Sequence, residues 1–291
     1  MACADCFRGG RATGTPAGEM MIIHGVACYF TSASNTFTAS KILYLCDGFG
    51  LALVNNKLLA DRLAASTGID VIAPDVPPGG GLDTSALELT DILSDPVGWN
   101  PLAWLRKAWT FTRLIVVALP FITKRKQRFQ CMDEMISLAR NLKGEMGDDG
   151  KLGATGYCYG GWLTMKLCAA PLSADDKDAG ENLIDAAFTA HPSWLDVPKE
   201  IVDVVKLKHV PLSLALADKD MTMPIKKVEE VEVALREEVG RPEENDYEVV
   251  VYRGNIPHGF AVRAREVYKE QMRAADDAAE QAVKWFKKYL R

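Results

Sequence analysis

Residues 151–170 read KLGATGYCYGGWLTMKLCAA, and at their centre Gly156-Tyr157-Cys158-Tyr159-Gly160 follows the G-x-S-x-G frame with sulfur in place of oxygen. An apolar strand precedes the frame and helix-forming residues follow it. A nucleophile on such a turn sits at a helix start, where backbone N–H groups without intrahelical partners favour negative charge. For a cysteine this matters twice. A thiol pKa of about 8.5 falls toward neutral in such surroundings, and the N–H of Tyr159 is positioned to hold a developing oxyanion. Gly156, Gly160 and Gly161 permit the sharp turn and a close approach of helix to strand. The string alone fits a buried structural cysteine at a glycine-rich turn equally well.

Two further segments supply what a cysteine nucleophile needs. LSLALADKDMTMP ends an apolar strand with Asp218 and Asp220, and YEVVVYRGNIPHGF places His258 in a loop beyond the last strand. Nucleophile, acid and base in this chain order is the arrangement of the α/β-hydrolase fold. His24 and His209 carry no such placement and read as structural. His191, in TAHPSW with Ser193 and Trp194, ends a strand at the same end of the sheet; a substrate contact and a buried structural histidine both fit it.

With these segments in place, the chain resembles the dienelactone hydrolase family, particularly its fungal branch. The matching strings are GYCYGG, ADKDMTMP, PHGF, LYLCDGFG, NNKLLADRLA and the opening CADCFRGGRATGTPAGE. The resemblance covers nearly all of the chain except about 80–130. The resemblance implies that Cys158 is the nucleophile, His258 the base that maintains the thiolate, and Asp220 the acid that orients His258. Asp220 is preferred to Asp218 because the family's acid stands four residues before a proline, here Pro224; Asp218 is then a solvated turn residue. The second oxyanion donor maps to the backbone N–H of Gly48 or its neighbour. Where the family often carries a glutamate that interacts with the resting thiol, this chain has Asp47, one methylene shorter, which either holds a proton near Cys158 or only fixes its loop. The family's carboxylate-binding arginines map loosely. Arg263 stands five residues after His258, and Arg106, Arg113, Arg125 and Arg128 lie in the divergent segment. Phe49, His191, Trp194, Arg263 and Arg106 are the candidate substrate contacts.

The elements that must position these residues alternate. Apolar runs at about 20–29, 41–47, 68–75, 151–157, 183–192, 210–218 and 247–254 read as strands with helical spacing between most of them. This implies an α/β fold with a mostly parallel central sheet flanked by helices, in one domain over 1–291 with an N-terminal arm at 1–19. The final segment, AREVYKEQMRAADDAAEQAVKWFKKYL, reads as one long amphipathic helix. From about 80 to 130 the rhythm breaks, and three of the six tryptophans, Trp99, Trp104 and Trp109, fall there. The segment reads either as a helical lid over the carboxyl ends of the strands, where open α/β sheets bind ligands, or as an insertion packed on the sheet edge.

The net charge of −5 argues against nucleic acid as a partner. Seven cysteines are too few and irregular for a disulfide scaffold and fit a reducing compartment. The N-terminus lacks the charged and apolar regions of a signal peptide, so the expected location is cytoplasmic. Cys3 and Cys6 form a C-x-x-C that no second pair completes into a metal site; neither metal nor organic cofactor is expected. FTRLIVVALPFI at 111–122 is too short and interrupted to span a bilayer and reads as a buried or interfacial helix, leaving membrane-surface contact open. The expected partner is a small ester or lactone, cleaved through a thioester. A thioesterase or accessory secondary-metabolism enzyme on the same site, or a catalytically silent binding protein, are the rival readings.

Overall fold

The structure is a computed structural model of the 291-residue chain, and it describes residues 10, 12–33, 38–77, 81–94, 99–123, 125–147, 149–173, 181–242 and 244–291. Cys3 and Cys6 lie outside the described residues, as do the side chains of Arg125 and Arg128.

Among the described residues eight strands form one sheet. Glu19–Ile23 (β1) and Val26–Thr31 (β2) make an antiparallel hairpin, and β2 pairs antiparallel with Asp70–Pro74 (β4). From β4 onward the sheet is parallel, through Lys41–Leu45 (β3), Leu152–Tyr157 (β5), Ala186–Ala190 (β6), Leu212–Lys219 (β7) and Tyr247–Pro257 (β8). The order is β1-β2-β4-β3-β5-β6-β7-β8. The single strand expected at 20–29 is thus two. His24 and Gly25 both take positive φ, +48° and +81°, which reverses the chain in a two-residue turn that apolar composition alone conceals.

Alternation along the central strands sends side chains to two separate cores. Ile42 and Tyr44 of β3 join the core under Val54–Thr67 (α1) and Lys269–Tyr289 (α9), with Phe188, Trp285 and Phe286. Leu43 and Leu45 join the opposite core with Leu138, Leu163 and Val228 from Arg125–Glu145 (α4), Tyr159–Ala169 (α5) and Ile225–Glu238 (α7). Lys199–Lys206 (α6) packs on this second face too. Each fully buried aliphatic or aromatic side chain contributes roughly 1.5–3 kcal/mol, so both faces of the middle strands are fixed rigidly and their carboxyl ends make a firm platform. The long C-terminal helix begins at Lys269, later than expected. A short helix at Phe260–Arg263 (α8) and the turn after it come first.

The 80–130 segment contains Ser85–Ser94 (α2) and Pro101–Thr123 (α3), which pack together, and it ends inside α4. It reaches the carboxyl ends of the strands. Leu82 N–H donates to Gly48 O at 2.7 Å, and Phe121 of α3 packs against Tyr159 and Trp194, with ring centroids 6.2 and 6.3 Å apart.

The described part of the N-terminal arm is strapped down. Gly10 N–H donates to Arg263 O at 2.8 Å, while Asn55 Nδ2 donates to Gly10 O and Val262 O and its Oδ1 accepts from Ala12 N–H.

Candidate active site

Cys158 is the single residue between β5 and α5, and it takes φ +54° and ψ −109°. A non-glycine residue held there costs on the order of 1–3 kcal/mol, so its neighbours must impose the conformation. They do so through the backbone. Cys158 N–H donates to Ala190 O at 3.3 Å, and Cys158 O accepts from Ser193 N–H at 3.0 Å and Trp162 N–H at 3.4 Å. The glycines are sterically required. A Cβ on Gly156 would lie 2.1 Å from Gly160 O, and one on Gly160 would lie 2.0 Å from Leu45 O. Helix α5 therefore crosses β3 and β5 at a distance only glycine allows, with its N-terminus beside the thiol. The sulfur is buried and lies 3.4 Å from Ser193 Oγ.

His258 and Asp220 arrive from the ends of β8 and β7. Asp220 Oδ2 is 2.8 Å from His258 Nδ1, both side chains fully buried. The other oxygen, Oδ1, accepts from Thr222 N–H at 2.7 Å, Thr222 Oγ1 at 2.7 Å and Met223 N–H at 3.2 Å. Thr222 Oγ1 also lies 3.2 Å from His258 Nδ1. The turn thus consumes one carboxylate oxygen and aims the second at the imidazole. Burial opposes charge on His258, but the Asp220 carboxylate, then the Cys158 thiol, outweigh it and hold the imidazole well above its ordinary pKa. Burial opposes charge on Asp220 as well; the His258 charge and the hydrogen bonds from His258 and Thr222 reverse that and hold the carboxyl well below the usual carboxylate range. His258 Nε2 makes no standard hydrogen bond, leaving the ring edge nearer the thiol able to exchange a proton.

Asp218 lies half-buried near the end of β7 and is not a free turn residue. Its carboxylate accepts from Gly254, Asn255 and Ile256 N–H at 3.1, 3.2 and 2.7 Å. Gly254 and Asn255 have φ of +117° and +61°, an irregular stretch just upstream of His258 that interrupts the β7–β8 register. Asp218 pins the chain that delivers the histidine, while Asp220 touches the histidine itself. Thr222 belongs to the same arrangement. A hydroxyl two residues beyond an acid is the only sequence signal for it, and it was missed.

A second buried carboxylate stands across the site. Asp47 Oδ2 accepts from Arg263 Nε at 2.8 Å, with both side chains essentially without solvent. Its Oδ1 accepts from Asn56 Nδ2 at 3.0 Å and from Phe49 N–H at 3.1 Å. Burial raises the Asp47 pKa; Arg263 counters this, and Cys158 adds to it. Because the guanidinium is permanently charged and equally buried, the two form an ion pair. In this loop Asp47 takes the N–H groups of Phe49, through Oδ1, and of Gly50, through its carbonyl. Gly48 N–H makes none of the described hydrogen bonds.

The remaining candidates divide. Phe49 is buried beneath Arg263, whose guanidinium carbon lies 5.1 Å from the ring centre. Arg263 packs so closely on Gly259 (φ +86°) that a Cβ there would meet the guanidinium at 2.3 Å. Trp194 meets Tyr159 and Trp162 edge-on at 5.7 and 6.4 Å, and with Phe121 these rings form an aromatic wall beside Cys158. His191 sits edge-on to His258, centroids 4.9 Å apart. Burial, then the charge of His258, pushes its pKa down to about 3, so the ring is neutral, and neither of its nitrogens has a hydrogen-bond partner. Arg106 and Arg113 are exposed on α3 and are not drawn into this constellation. The four other described cysteines are buried as well. Burial first, then Asp75, pushes Cys28 up to about 12; burial pushes Cys131 up to about 11 and holds Cys46 and Cys168 well above the ordinary thiol value.

Residues 26–290 match the family model of the dienelactone hydrolase family. A curated relative named hydrolase pyvD, from Aspergillus violaceofuscus, is 28% identical over 98% of this chain and 96% of its own. Among solved structures, one from Klebsiella pneumoniae assigned as a dienelactone hydrolase superposes with a TM-score of 0.60 at 21% identity, covering 94% of this chain and 98% of that one. A Thermogutta terrifontis esterase with propionate bound superposes with a TM-score of 0.53 at 15% identity, covering 92% and 94%.

Proposed function

The chain belongs to the dienelactone hydrolase family of carboxylic ester hydrolases, and from that premise we propose that Cys158, His258 and Asp220 hydrolyse a lactone or small ester through a thioester acyl-enzyme. The observation that carries this reading is the convergence of three turns from separate strands. A thiol held at positive φ, an imidazole and a carboxylate meet in one buried cluster, with Asp220 fixed at 2.8 Å from His258.

The raised imidazole pKa favours a protonated His258 beside a Cys158 thiolate. The thiolate attacks the ester carbonyl carbon, and the carbonyl electron pair moves to oxygen. The N–H of Tyr159 at the start of α5 and the N–H of Gly48 hold that oxyanion. Of the loop donors Gly48 is preferred, because Phe49 and Gly50 N–H serve Asp47. Collapse of the intermediate expels an alkoxide, which takes the proton from His258 and leaves a thioester. His258, now neutral, accepts a proton from water as that water attacks the thioester. The acid product departs, and thiolate and imidazolium are restored. Asp220 fixes the ring tautomer and stabilises its charged form throughout.

On the substrate side, Arg263 Nε is engaged by Asp47, and the wall beside the thiol is Tyr159, Trp162, Trp194 and Phe121. This favours an apolar acyl group over a small carboxylate-bearing lactone. Intact-mass spectrometry of wild type and Cys158→Ala after brief exposure to activated esters and lactones tests the mechanism. An acyl adduct and turnover in wild type alone are expected. Equal behaviour of the two proteins would make Cys158 a turn residue and the pocket a binding site.

A further inference from the structure

From the outer face of α3 we infer that this helix docks flat on an anionic lipid surface, a property separate from the catalytic reading. The helix runs 23 residues, roughly 34 Å at about 1.5 Å per residue. One side is committed to the protein through Thr110, Leu114, Ala118 and Phe121, all buried. The opposite side exposes Leu105, Trp109, Val116 and Leu119, with Trp104 and Phe111 continuing the apolar arc along its flank, each more than half exposed. Single exposed apolar residues are ordinary, but a contiguous face of this size marks an interaction surface.

Charge selects the occupant. Residues 96–132 contain seven Lys or Arg and no Asp or Glu, in a chain of net charge −5. At about 100° per residue, Arg106 and Arg113 fall together along one edge of the apolar arc, and both are exposed. A second copy of this chain joined about a two-fold axis through this face would bring Arg106 and Arg113 up against their own counterparts. A negatively charged headgroup layer supplies the missing anions and accepts the apolar side chains beneath them, and tryptophan is favoured at that depth. Among the described residues no helix is long and apolar enough to cross a membrane. The committed inner side of α3 likewise restricts it to lying in the surface.

The test is co-sedimentation of the purified full chain with phosphatidylcholine vesicles, with and without phosphatidylserine, alongside mass by light scattering. Leu105→Glu with Val116→Glu removes apolar contact at exposed positions; circular dichroism and turnover of a water-soluble ester confirm that this variant is folded. Binding to anionic vesicles is expected, with loss of at least about tenfold on neutral vesicles and in the double variant. A blue-shifted tryptophan emission should accompany it. Arg106→Glu with Arg113→Glu should weaken binding and flatten its dependence on salt. Absence of sedimentation with either vesicle, or undiminished binding by the double variant, overturns the inference. So does a dimer in solution that the same double variant dissolves, because the occupant is then a second copy.

Discussion

Two buried carboxylates flank Cys158, each 2.8 Å from a basic partner, yet their partners differ in the one property that decides their use. His258 can give up its proton; Arg263 cannot. Asp220, aimed at a titratable ring, is held below the usual carboxylate range, whereas Asp47, tied to a permanent cation, is raised by its burial. The first pair is suited to moving a proton during turnover, and the second to fixing the loop that carries Gly48. Similar geometry thus suits chemistry on one side of the thiol and scaffolding on the other.

The sharpest break of this comparison is Asp220→Asn. It should lower kcat/KM by roughly 10³–10⁴, because an amide cannot stabilise the imidazolium or hold the correct tautomer. Steady-state kinetics checks this, and an unchanged rate would erase the distinction between the two acids. Next in size, Asp47→Asn leaves Arg263 buried without its anion and should cost about 3–5 kcal/mol of stability, read from denaturant melts. The acidic limb of its kcat/KM profile should move to lower pH, since a carboxylate near the thiolate is removed. A fall in rate to match Asp220→Asn, at unchanged stability, would show that Asp47 is no scaffold.

A third measurement compares pH dependence of stability. His258 has its pKa raised, so its contribution is complete below the unfolded value of about 6.5 and is lost as pH rises through the folded value. Asp220 has its pKa lowered, so its contribution is complete above about 3.8 and fades at lower pH. The stability difference between wild type and His258→Gln should therefore peak between these values. Above 6.5 it should decline by up to about 1.4 kcal/mol per pH unit. A guanidinium keeps its charge at any such pH, so the corresponding difference for Arg263→Met should show no decline above 6.5. Smallest, Thr222→Val removes a hydroxyl donated to Asp220 and should cost about 1 kcal/mol, a several-fold loss in kcat with little change in KM.

The fold was legible because strand and helix periodicities are local. So was the frame around Cys158, where glycine spacing and flanking elements lie within a dozen residues. The family resemblance, through its acid four residues before a proline, pointed to Asp220 over Asp218, and the structure sets Asp220 against His258 and Asp218 against the backbone N–H groups of 254–256. What could not be read was set by contacts between loops distant in sequence. Asp47 and Arg263 are 216 residues apart, so neither string announces the pair, and Arg263 read as a candidate for substrate. Asp218 read as solvated because its partners, the backbone N–H groups of 254–256, carry no side-chain signature. The hairpin at His24–Gly25 was hidden because an apolar run does not report a positive φ at histidine.

The raised pKa values of the other described thiols have a practical consequence for labelling. At neutral pH Cys28, Cys46, Cys131 and Cys168 hold their protons, which makes them poor competitors for an electrophile. Tryptic cleavage after Lys151 and Lys166 releases LGATGYCYGGWLTMK, in which Cys158 is the sole cysteine. A warhead-bearing ester analogue can therefore be counted on that one peptide, apart from any label on Cys3 and Cys6. The same pattern of disarmed thiols suits the chain to activity-based profiling in a complex mixture when the label is read at that peptide.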